Sequence, residues 1–539
     1  MTSGAGIYAD KVFTLYPNGF LPLIKSHIKD ISFSAGINGA LGKWKASLSN
    51  TFGVNHFDFT IANSVNYTQF ATGNNVPTKF DAGGLQFLQN TINLDFTRHF
   101  TILQGLHIAQ GAEFRVDQYT QRAGEEASYT NYTTASGAAS GAQVFAGFVP
   151  DYARQHARHN IALYADLEQD LSSHWLIQAA LRFENYSDFG STLNYKIASR
   201  YKLGEHFSIR ASASTGFRAP SVQQQYYAKT NTLFVSSNGN LLPVESGTFT
   251  NNSKPAQILG IPPLKEETSR NYAAGFSATP AKGLEISVDG YLININNRIV
   301  LTNNFTGGTD TALTRLLKEN GATTANFFTN AIDTKSRGLE LVLQYHRTFR
   351  GQHQFRITGA ATFIKNEVKK GADGKPIIKA SDVLLRSGQL GNYFNREDQS
   401  RIEVANPTVK ANLSLSYNHK GLAVLCRLAY FGKVTYLDPG IDPSNPASFP
   451  VNAFTGQKET LDQVFSPKTI TDLSVSYNLT RSFTLTAGAN NLFDVYQDEQ
   501  THSGNVSLGR FIYSRRVEQM GFNGRYLFTR LSFNIHQYP

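Results

Sequence analysis

A chain of 539 residues would ordinarily fold as several soluble domains, yet this one shows no break in composition and no long stretch of helical periodicity. Its single cysteine, Cys426, excludes a disulfide framework and a thiolate metal site. The net charge of +10 is modest for this length and no run of five or more basic residues occurs, which argues against nucleic-acid binding.

The hydropathy pattern allows a membrane protein built from strands. No run of about 18 apolar residues occurs, so the sequence contains no transmembrane helix. The mean hydropathy of -0.29 is still compatible with a bilayer, because a membrane β-strand needs an apolar residue only at every second position. The 38 Phe and 25 Tyr residues fit many strands with aromatic rims.

The start of the chain, 1–10, has neither the basic nor the apolar region of a secretory signal. We interpret 1–20 as the approach to the first strand. Apolar and polar residues then alternate strictly along the chain, which predicts strands with one apolar and one wet face. Our coarse count is about nineteen strands, sixteen of them in these segments: 31–37, 44–48, 92–96, four strands within 160–215, 272–279, 284–299, 338–346, 354–365, 408–418, 422–436, 469–479, 482–490 and 525–535.

The last three strands share one parity, with apolar residues at odd positions. We therefore predict that Leu473 and its odd-numbered neighbours contact lipid, whereas Asp472 and the other even residues line a lumen. The same reasoning places Arg182, Glu184 and Arg210 inward on their strands. The net positive charge then indicates a basic lumen or rim that attracts anions.

Short and long connections alternate between the strands. The short ones are 202–206, 280–283, 347–351 and 418–421, and the long ones are 120–158, 216–267, 303–334, 366–406 and 437–467. This asymmetry is typical of an outer-membrane barrel, so we expect all five long loops on one rim.

Five ordered stretches resemble the TonB-dependent outer-membrane receptors. Gly216, Phe217, Arg218, Ala219, Pro220 and Ser221 resemble the family's Gly-Phe-Arg-Ala-Pro stretch, and Glu267, Asn271 and Tyr272 resemble a second stretch in which Glu266 replaces the family's proline. Gly338 and Glu340 are similar to a family strand start. Asn490, Asn491, Leu492, Phe493 and Asp494 are similar to the penultimate strand, and Gly524, Arg525 and Phe533 to the final one.

The resemblance implies an all-β, antiparallel up-and-down transmembrane barrel in the outer membrane of a Gram-negative bacterium, with about 22 strands in the family. It implies an importer rather than an enzyme, which takes up a scarce solute such as a ferric siderophore, cobalamin or a carbohydrate. Outer-membrane lipid, a small-molecule ligand and the TonB complex are the implied partners, and no cofactor or nucleic acid is expected. We expect residues 1–539 to form the barrel domain without the family's N-terminal plug and first strands, so that this chain alone does not perform energy-coupled uptake.

Two other classes of function stay open at this point. A passive diffusion channel fits a barrel without a plug, and a soluble carbohydrate-binding β protein fits the strands but not the alternation of short and long joins. The loops at 129–132 and 226–240 are rich in Tyr, Asn, Thr and Ser, which suits polar or aromatic contacts with a ligand without selecting one.

Several motifs have a structural interpretation beside a functional one. His156 and His159 are spaced for opposite faces of a strand, so metal binding is disfavoured. The acid pairs at 125–126 and 266–267 are interpreted as solvated loop residues, and no nucleophile motif is present. The 490–494 stretch is explained by turn chemistry, and the 217–220 stretch by a clamp at the root of a loop.

Overall fold

A computed structural model describes residues 5–133, 138–237, 240–307, 311–319, 322–349, 351–386, 389–506 and 510–534. One antiparallel sheet of seventeen strands forms most of the described chain. The strands in chain order are β1 Leu23–Leu41, β2 Trp44–Ala62, β3 Lys79–Phe100, β4 Leu106–Arg122, β5 Gln155–Asp170, β6 Trp175–Tyr186, β7 Gly190–Lys202, β8 Phe207–Arg218, β9 Lys229–Ser237, β10 Asn240–Thr248, β11 Glu267–Ala281, β12 Leu284–Leu301, β13 Phe305–Thr306, β14 Thr324–Asn326, β15 Phe328–Phe349, β16 His353–Val368, β17 Val409–His419, β18 Leu422–Phe431, β19 Val434–Tyr436, β20 Gln463–Phe465, β21 Lys468–Asn478, β22 Phe483–Asn490 and β23 Tyr526–Phe533.

The large sheet is an up-and-down meander. Each wall strand after β1 pairs antiparallel with the wall strand before it in the chain, and of the described strands β9, β10, β13, β14, β19 and β20 lie outside this sheet. This confirms the predicted antiparallel up-and-down β-barrel architecture. The wall of the described residues has seventeen strands, against the count of about nineteen from the sequence. The predicted strand 422–436 is also shorter than expected: its wall strand ends at Phe431, and Val434–Tyr436 pairs with β20 in a separate sheet.

Cross-strand register separates one apolar face from one polar face. On the last strands, Val475 lies opposite Ala487 and Leu485 lies opposite Leu531, so the odd residues share a face. Leu531 is 62% exposed, as expected for an apolar side chain that points away from the interior. On the other face the Ser476 and Thr486 hydroxyls are 2.8 Å apart. The predicted parity within the strands is confirmed, whereas contact of the apolar face with lipid stays a prediction.

The long connections lie together at one rim, because consecutive strands run in opposite directions. The four segments β9, β10, β13 and β14 form a second sheet above that rim. An apolar cluster beneath it brings together three of the long loops, with Phe249, Leu313, Phe327 and Tyr393 among its buried members. The loops therefore have a packed core of their own, which their polar composition did not predict.

The short helices of the described ranges lie outside the barrel wall. They are α1 Ala9–Leu15, α2 Glu126–Tyr129, α3 Val222–Tyr226, α4 Lys254–Ile258, α5 Thr311–Glu319, α6 Asp382–Arg386, α7 Leu390–Tyr393 and α8 Arg396–Glu403. No helix in the described residues is long and apolar enough to cross a membrane.

The interpretation of 1–20 as an approach to strand alternation was wrong for the described part of that segment. Gly6–Tyr8 and Ala9–Leu15 are helical, and Val12 packs with Tyr67 and Phe70 from the loop between β2 and β3. Seven residues are too few for the sequence to show helical periodicity, and the tertiary contact decides the conformation.

Candidate functional site

The Gly216–Ser221 stretch joins the end of β8 to the helix α3. Pro220 cannot continue the ladder of backbone hydrogen bonds, and the strand ends at Arg218. The Ser221 hydroxyl accepts a hydrogen bond from the Gln224 backbone N–H (3.0 Å), and the Gln224 side chain accepts one from the Ser221 N–H (3.1 Å). This capping box starts the helix directly at the root of the long loop that follows β8.

Arg218 and Glu267 close the root of this loop. They lie opposite each other in the register of β8 and β11. Arg218 donates from Nη2 to Glu267 Oε1 (2.7 Å) and from Nε to Oε2 (3.1 Å). Glu267 Oε1 also accepts from the Ile299 backbone N–H at 2.8 Å. Glu267 starts β11 and is 8% exposed, so its interpretation as a solvated loop residue was wrong. Two stretches that are far apart in the sequence thus meet in one two-pronged ion pair, which is the strong geometry for arginine and a carboxylate.

Arg158 links the same loop root to the neighbouring wall. Its Nε and Nη2 both donate to Asp117 Oδ2 at 3.1 Å, and its Nη1 donates to the Pro220 carbonyl at 2.6 Å. Asp188 is a further ion partner at 3.7 Å. Arg158 and Asp117 are 9% and 3% exposed, so this charged pair is sequestered from solvent and fixed by several hydrogen bonds.

A second charged network lies beside Arg158 on the inner face of β4, β5 and β6. Glu184 accepts from Arg182 Nε (2.6 Å) and from the Tyr186 hydroxyl (2.8 Å). Tyr186 in turn accepts from Arg115 Nη2 at 2.7 Å, and Arg182 Nη2 donates to Glu113 Oε2 at 3.2 Å. Cations and carboxylates alternate across the strands, so the wall presents many oriented polar groups at little net charge.

Three buried polar atoms of this wall retain unused hydrogen-bonding capacity. Glu113 Oε1, Asn160 Oδ1 and Arg115 Nε have no hydrogen-bond partner among the described residues. Buried polar groups in proteins are nearly always satisfied, so such a group is a place where water or a polar ligand is expected. Glu113 Oε1 and Arg115 Nε do have charged neighbours, Arg115 Nη1 at 4.0 Å and Asp117 Oδ1 at 3.7 Å.

The other inward residues expected from parity also have partners. Arg210 forms an ion pair with Asp289, and Asp472 accepts from Arg427 Nε at 2.9 Å. Asp472 also accepts from the Asn491 backbone N–H at 2.9 Å. Asp472 therefore links β18 to the turn after β22 and has a structural role in addition to its place on the inner face.

The Asn490–Asp494 stretch forms the turn that leaves β22. Asn491 has φ 50 and Asp494 has φ 57, which is the left-handed region that asparagine and aspartate tolerate. The Asn491 side chain binds the Val495 backbone through its amide group (2.8 Å) and its carbonyl oxygen (2.9 Å). The Leu492 N–H donates to the Thr471 carbonyl at 2.7 Å, and Phe493 is 68% exposed.

The start of the final strand is tied to that turn. Asp494 Oδ1 accepts from the Arg525 backbone N–H at 2.7 Å. A Cβ atom on Gly524 would lie 1.9 Å from the Tyr496 hydroxyl oxygen and 2.5 Å from Asp494 Oδ1, so a larger residue would displace both side chains. Farther along this strand, the Phe533 ring lies 4.8 Å from the ring of Phe483 on the apolar face.

The remaining motif residues have structural environments as well. Asn271 donates to the Ser269 hydroxyl at 3.2 Å, whereas Tyr272 points to the apolar face and is 48% exposed. A Cβ atom on Gly338 would lie 2.4 Å from the Tyr291 ring, so this glycine makes room for an aromatic side chain. Glu340 lies two residues farther along β15, opposite Asp289.

The two histidines of the His156–His159 pair point to opposite faces of β5. The His156 ring stacks on Tyr226 with 3.7 Å between ring centroids, whereas His159 lies 6.5 Å from Phe114. Within the described ranges, no group of three His, Cys, Asp or Glu side chains is arranged to hold a metal ion. Of the loops rich in tyrosine and asparagine, 129–132 is described, but 238–239 in the second loop lies outside the described residues.

Sequence reasoning missed Lys229, which lies in the loop above the charged wall. It is 1% exposed and its ammonium group lies 3.4 Å from the Phe145 ring centroid and 4.4 Å from that of Phe148. It donates to the Ala146 carbonyl at 2.5 Å, and burial lowers the pKa of Lys229 to about 7. No sequence signal marks it, because its partners come from a loop some eighty residues earlier.

Comparison with known proteins finds a family and a fold. Residues 8–492 match the family described as "TonB dependent receptor-like, beta-barrel". The vitamin B12 transporter BtuB of Vibrio cholerae serotype O1 is 23% identical over 362 residues, which are 67% of this chain and 42% of that protein.

Solved structures show the same fold at low identity. The siderophore receptor PirA from Acinetobacter baumannii matches with TM-score 0.60 and 14% identity, covering 94% of this chain and 62% of that one. A mutant of the ferric enterobactin receptor PfeA from Pseudomonas aeruginosa matches with TM-score 0.61, 14% identity and the same coverage. The chain thus spans less than two thirds of the length of these relatives.

Proposed function

This chain belongs to the TonB-dependent receptor β-barrel family, and we propose that it is the barrel domain of an outer-membrane receptor that imports a scarce polar solute with energy from the TonB complex. Residues 1–539 are the barrel in this proposal, and the family's plug domain is the element that couples it to TonB. The proposal places no catalytic step in the chain.

The observation that supports import is the polar wall beneath the long loops. Glu113, Arg115 and Asn160 lie on the inner face of β4 and β5, where Glu113 and Arg115 belong to the charged network with Arg182, Glu184 and Tyr186. A barrel of more than about eight strands is too wide for its own side chains to fill, so such a wall faces water, another domain or a passing solute. Oriented donors and acceptors there suit a solute that exchanges its hydration shell for the wall.

The names of the relatives indicate two solute classes. BtuB is a vitamin B12 transporter, and PirA and PfeA are siderophore receptors. We propose uptake of a metal chelate or corrinoid, with a carbohydrate as a further candidate. Loop contacts select the solute, and the charged wall passes it on.

The test is uptake of radiolabelled cobalamin and of radiolabelled ferric siderophores by cells that produce the whole receptor containing this barrel. Saturable uptake that disappears when TonB is deleted supports the proposal. Uptake that rises linearly with solute concentration and does not need TonB would instead indicate a passive diffusion channel.

A matched pair of variants tests the wall itself. Glu113→Gln alters a side chain that carries one of the unsatisfied atoms, whereas Glu285→Gln removes a carboxylate at the opposite, short-turn end of the barrel. We expect a lower maximal uptake rate for Glu113→Gln only, with equal amounts of folded protein in the membrane.

A further inference from the structure

The outer surface of the barrel carries a cluster of cations near the long-loop rim. Arg270 pairs in register with Asn294, and Asn294 with Lys335. One row farther from that rim, Tyr272 pairs with Leu292, Leu292 with Arg337, and Arg337 with Lys365. We call Arg270, Lys335, Arg337 and Lys365 the outer basic patch.

Parity places the outer basic patch on the apolar face. Arg337 is two residues from Leu339, which is 44% exposed, and Lys365 is two residues from Phe363, which is 46% exposed. Their neighbour Gly338 points to the other face, where Tyr291 covers it. The patch therefore belongs to the surface that a bilayer surrounds, and the lumen lies on the other side of the sheet.

The patch lies at the end of the apolar band. The next row toward the short turns runs Ala274, Gly290, Leu339, Phe363 and Val409, and it contains no charge. Glu267 starts β11 and Val368 ends β16, so Arg270 and Lys365 each lie three residues from the long-loop end of their strand. This is the level at which a membrane changes from hydrocarbon to headgroups.

The patch keeps an excess of positive charge. Glu367 is an ion partner for two of its members, with Arg337 Nη2 at 3.2 Å and Lys365 Nζ at 2.7 Å. Arg337 and Lys365 have 51% and 60% of their side chains exposed, so their remaining donors reach outward. Glu367 therefore neutralises only part of the patch, and the remaining positive charge can attract an anion.

An open groove beside the patch has room for such an anion. It measures about 730 Å³, and its lining includes the cations Arg337, Lys365 and Lys370, the carboxylates Glu367 and Glu403, and the apolar residues Phe363 and Val409. Lys370 pairs with Glu403 at 3.9 Å, so the excess of positive charge comes from the outer basic patch. Its apolar residues continue the hydrocarbon-facing surface, and its cations stand toward the rim. The apolar part of the groove can thus contact the acyl chains of a lipid, while the cations near the rim contact its anionic headgroup.

We propose that the outer basic patch binds the phosphorylated headgroup of a lipid in the surrounding membrane, with the acyl chains along Phe363 and Val409. The lipid site depends on the proposed function in one respect, that the barrel is embedded in a membrane. A guanidinium beside two ammonium groups matches a phosphate, since arginine binds it with two parallel hydrogen bonds and lysine as a point charge. Such a lipid would fix the barrel at a defined height in the bilayer.

The test is native mass spectrometry of the receptor extracted from membranes into micelles doped with phosphatidylglycerol or with phosphatidylcholine. We expect retention of phosphatidylglycerol over phosphatidylcholine. The double variant Lys335→Gln/Arg337→Gln removes two cations and leaves Lys365 to pair with Glu367. Each cation near a membrane surface contributes about fivefold in affinity, so retention should fall roughly 25-fold at low ionic strength.

Two controls make the result specific. Lys282→Gln/Arg347→Gln removes the same charge at the short-turn rim and should retain the lipid like the wild type. Lys335→Arg/Arg337→Lys preserves the charge and should restore most of the binding, which separates loss of charge from misfolding.

Equal retention of both lipids, or an equal loss in the Lys282→Gln/Arg347→Gln control, overturns the lipid site while the barrel assignment stands. Displacement by inorganic phosphate at the concentration of the lipid also overturns it, because the site would then select free phosphate. A receptor that does not fractionate with membranes overturns both this proposal and the proposed function.

Discussion

Removal of the Arg218 side chain should loosen the loop that follows β8. The change Arg218→Ala takes both guanidinium hydrogen bonds from Glu267, which is 8% exposed and otherwise retains only the Ile299 N–H. Breaking a fully buried pair costs about 3–5 kcal/mol, because it leaves a buried charge without its partner. Arg218 has 53% of its side chain exposed, so we expect a smaller loss of about 2 kcal/mol.

The assay is amide hydrogen exchange at the loop root in the membrane-embedded protein. A loss of about 2 kcal/mol in local stability corresponds to roughly 30-fold faster exchange for amides that exchange by local opening. The expected sites are the N–H groups of Ile299 and of residues 267–269. Arg315→Ala is the matched control, because Arg315 and Glu319 form an exposed i,i+4 pair at 3.8 Å with 77% and 60% exposed side chains. It should change exchange by less than about twofold.

A double-mutant cycle with Glu267→Gln isolates the pair. If the two side chains stabilise the loop root through each other, the combined effect of both changes should be smaller than the sum by about 1–2 kcal/mol. Additive effects, or exchange as slow in Arg218→Ala as in the wild type, would show that the Arg218–Glu267 pair does not hold the loop.

Three further changes follow from the same structure. Leu473→Arg on the apolar face should lower the unfolding free energy in lipid, measured by urea titration, by about 2–4 kcal/mol. Ser474→Arg on the inner face should change it by less than about 1 kcal/mol. Equal losses for the two variants would refute the assignment of the faces. Burial lowers the pKa of Lys229 from 10.5 to about 7, so the folded loop favours the neutral amine. The loop of the wild type should therefore gain stability relative to that of Lys229→Met as the pH rises from 7 to 10. A ratio of amide exchange rates at 145–149, Lys229→Met over wild type, that stays constant over this range would contradict the prediction. Asn491→Ala loses the side-chain bonds to Val495 and places alanine at φ 50, which should cost about 1–3 kcal/mol in thermal unfolding, and Asn491→Gly should recover the backbone part of that cost.

The strands of the barrel could be predicted from the sequence because each has two chemically different faces. Leu473 and Asp472 are adjacent in the sequence and point to opposite sides of the sheet. The two-residue alternation therefore predicts both the strands and the face on which each residue lies. The same period indicated that Arg182 and Glu184 face inward. It did not predict the partner on β4, since Glu113 reaches Arg182 across β5 through pairings of three strands.

The loops were harder to predict for a different physical reason. Phe249, Leu313 and Tyr393 come from three loops without periodicity, and only their burial together creates the apolar cluster. Lys229 is unremarkable in sequence, and the aromatic surroundings that bury it come from Phe145 and Phe148. Long-range packing of irregular segments decides these contacts, and it leaves no local pattern. The contact of Arg218 with Glu267 was partly predicted from the sequence. A clamp at the loop root was expected at Phe217–Pro220, but Glu267 was not expected as its partner.

The most direct test of the central claim is the labelling of single cysteines on intact cells with a maleimide that does not cross membranes. Lys254→Cys places a thiol in a long loop, whereas Glu205→Cys and Lys282→Cys place one in short turns, each in a Cys426→Ser background. If the chain is an outer-membrane barrel whose long loops face the outside, Lys254→Cys is labelled on intact cells and the two turn variants are labelled only after the outer membrane is opened. Labelling of Glu205→Cys and Lys282→Cys on intact cells, with Lys254→Cys protected, would contradict it.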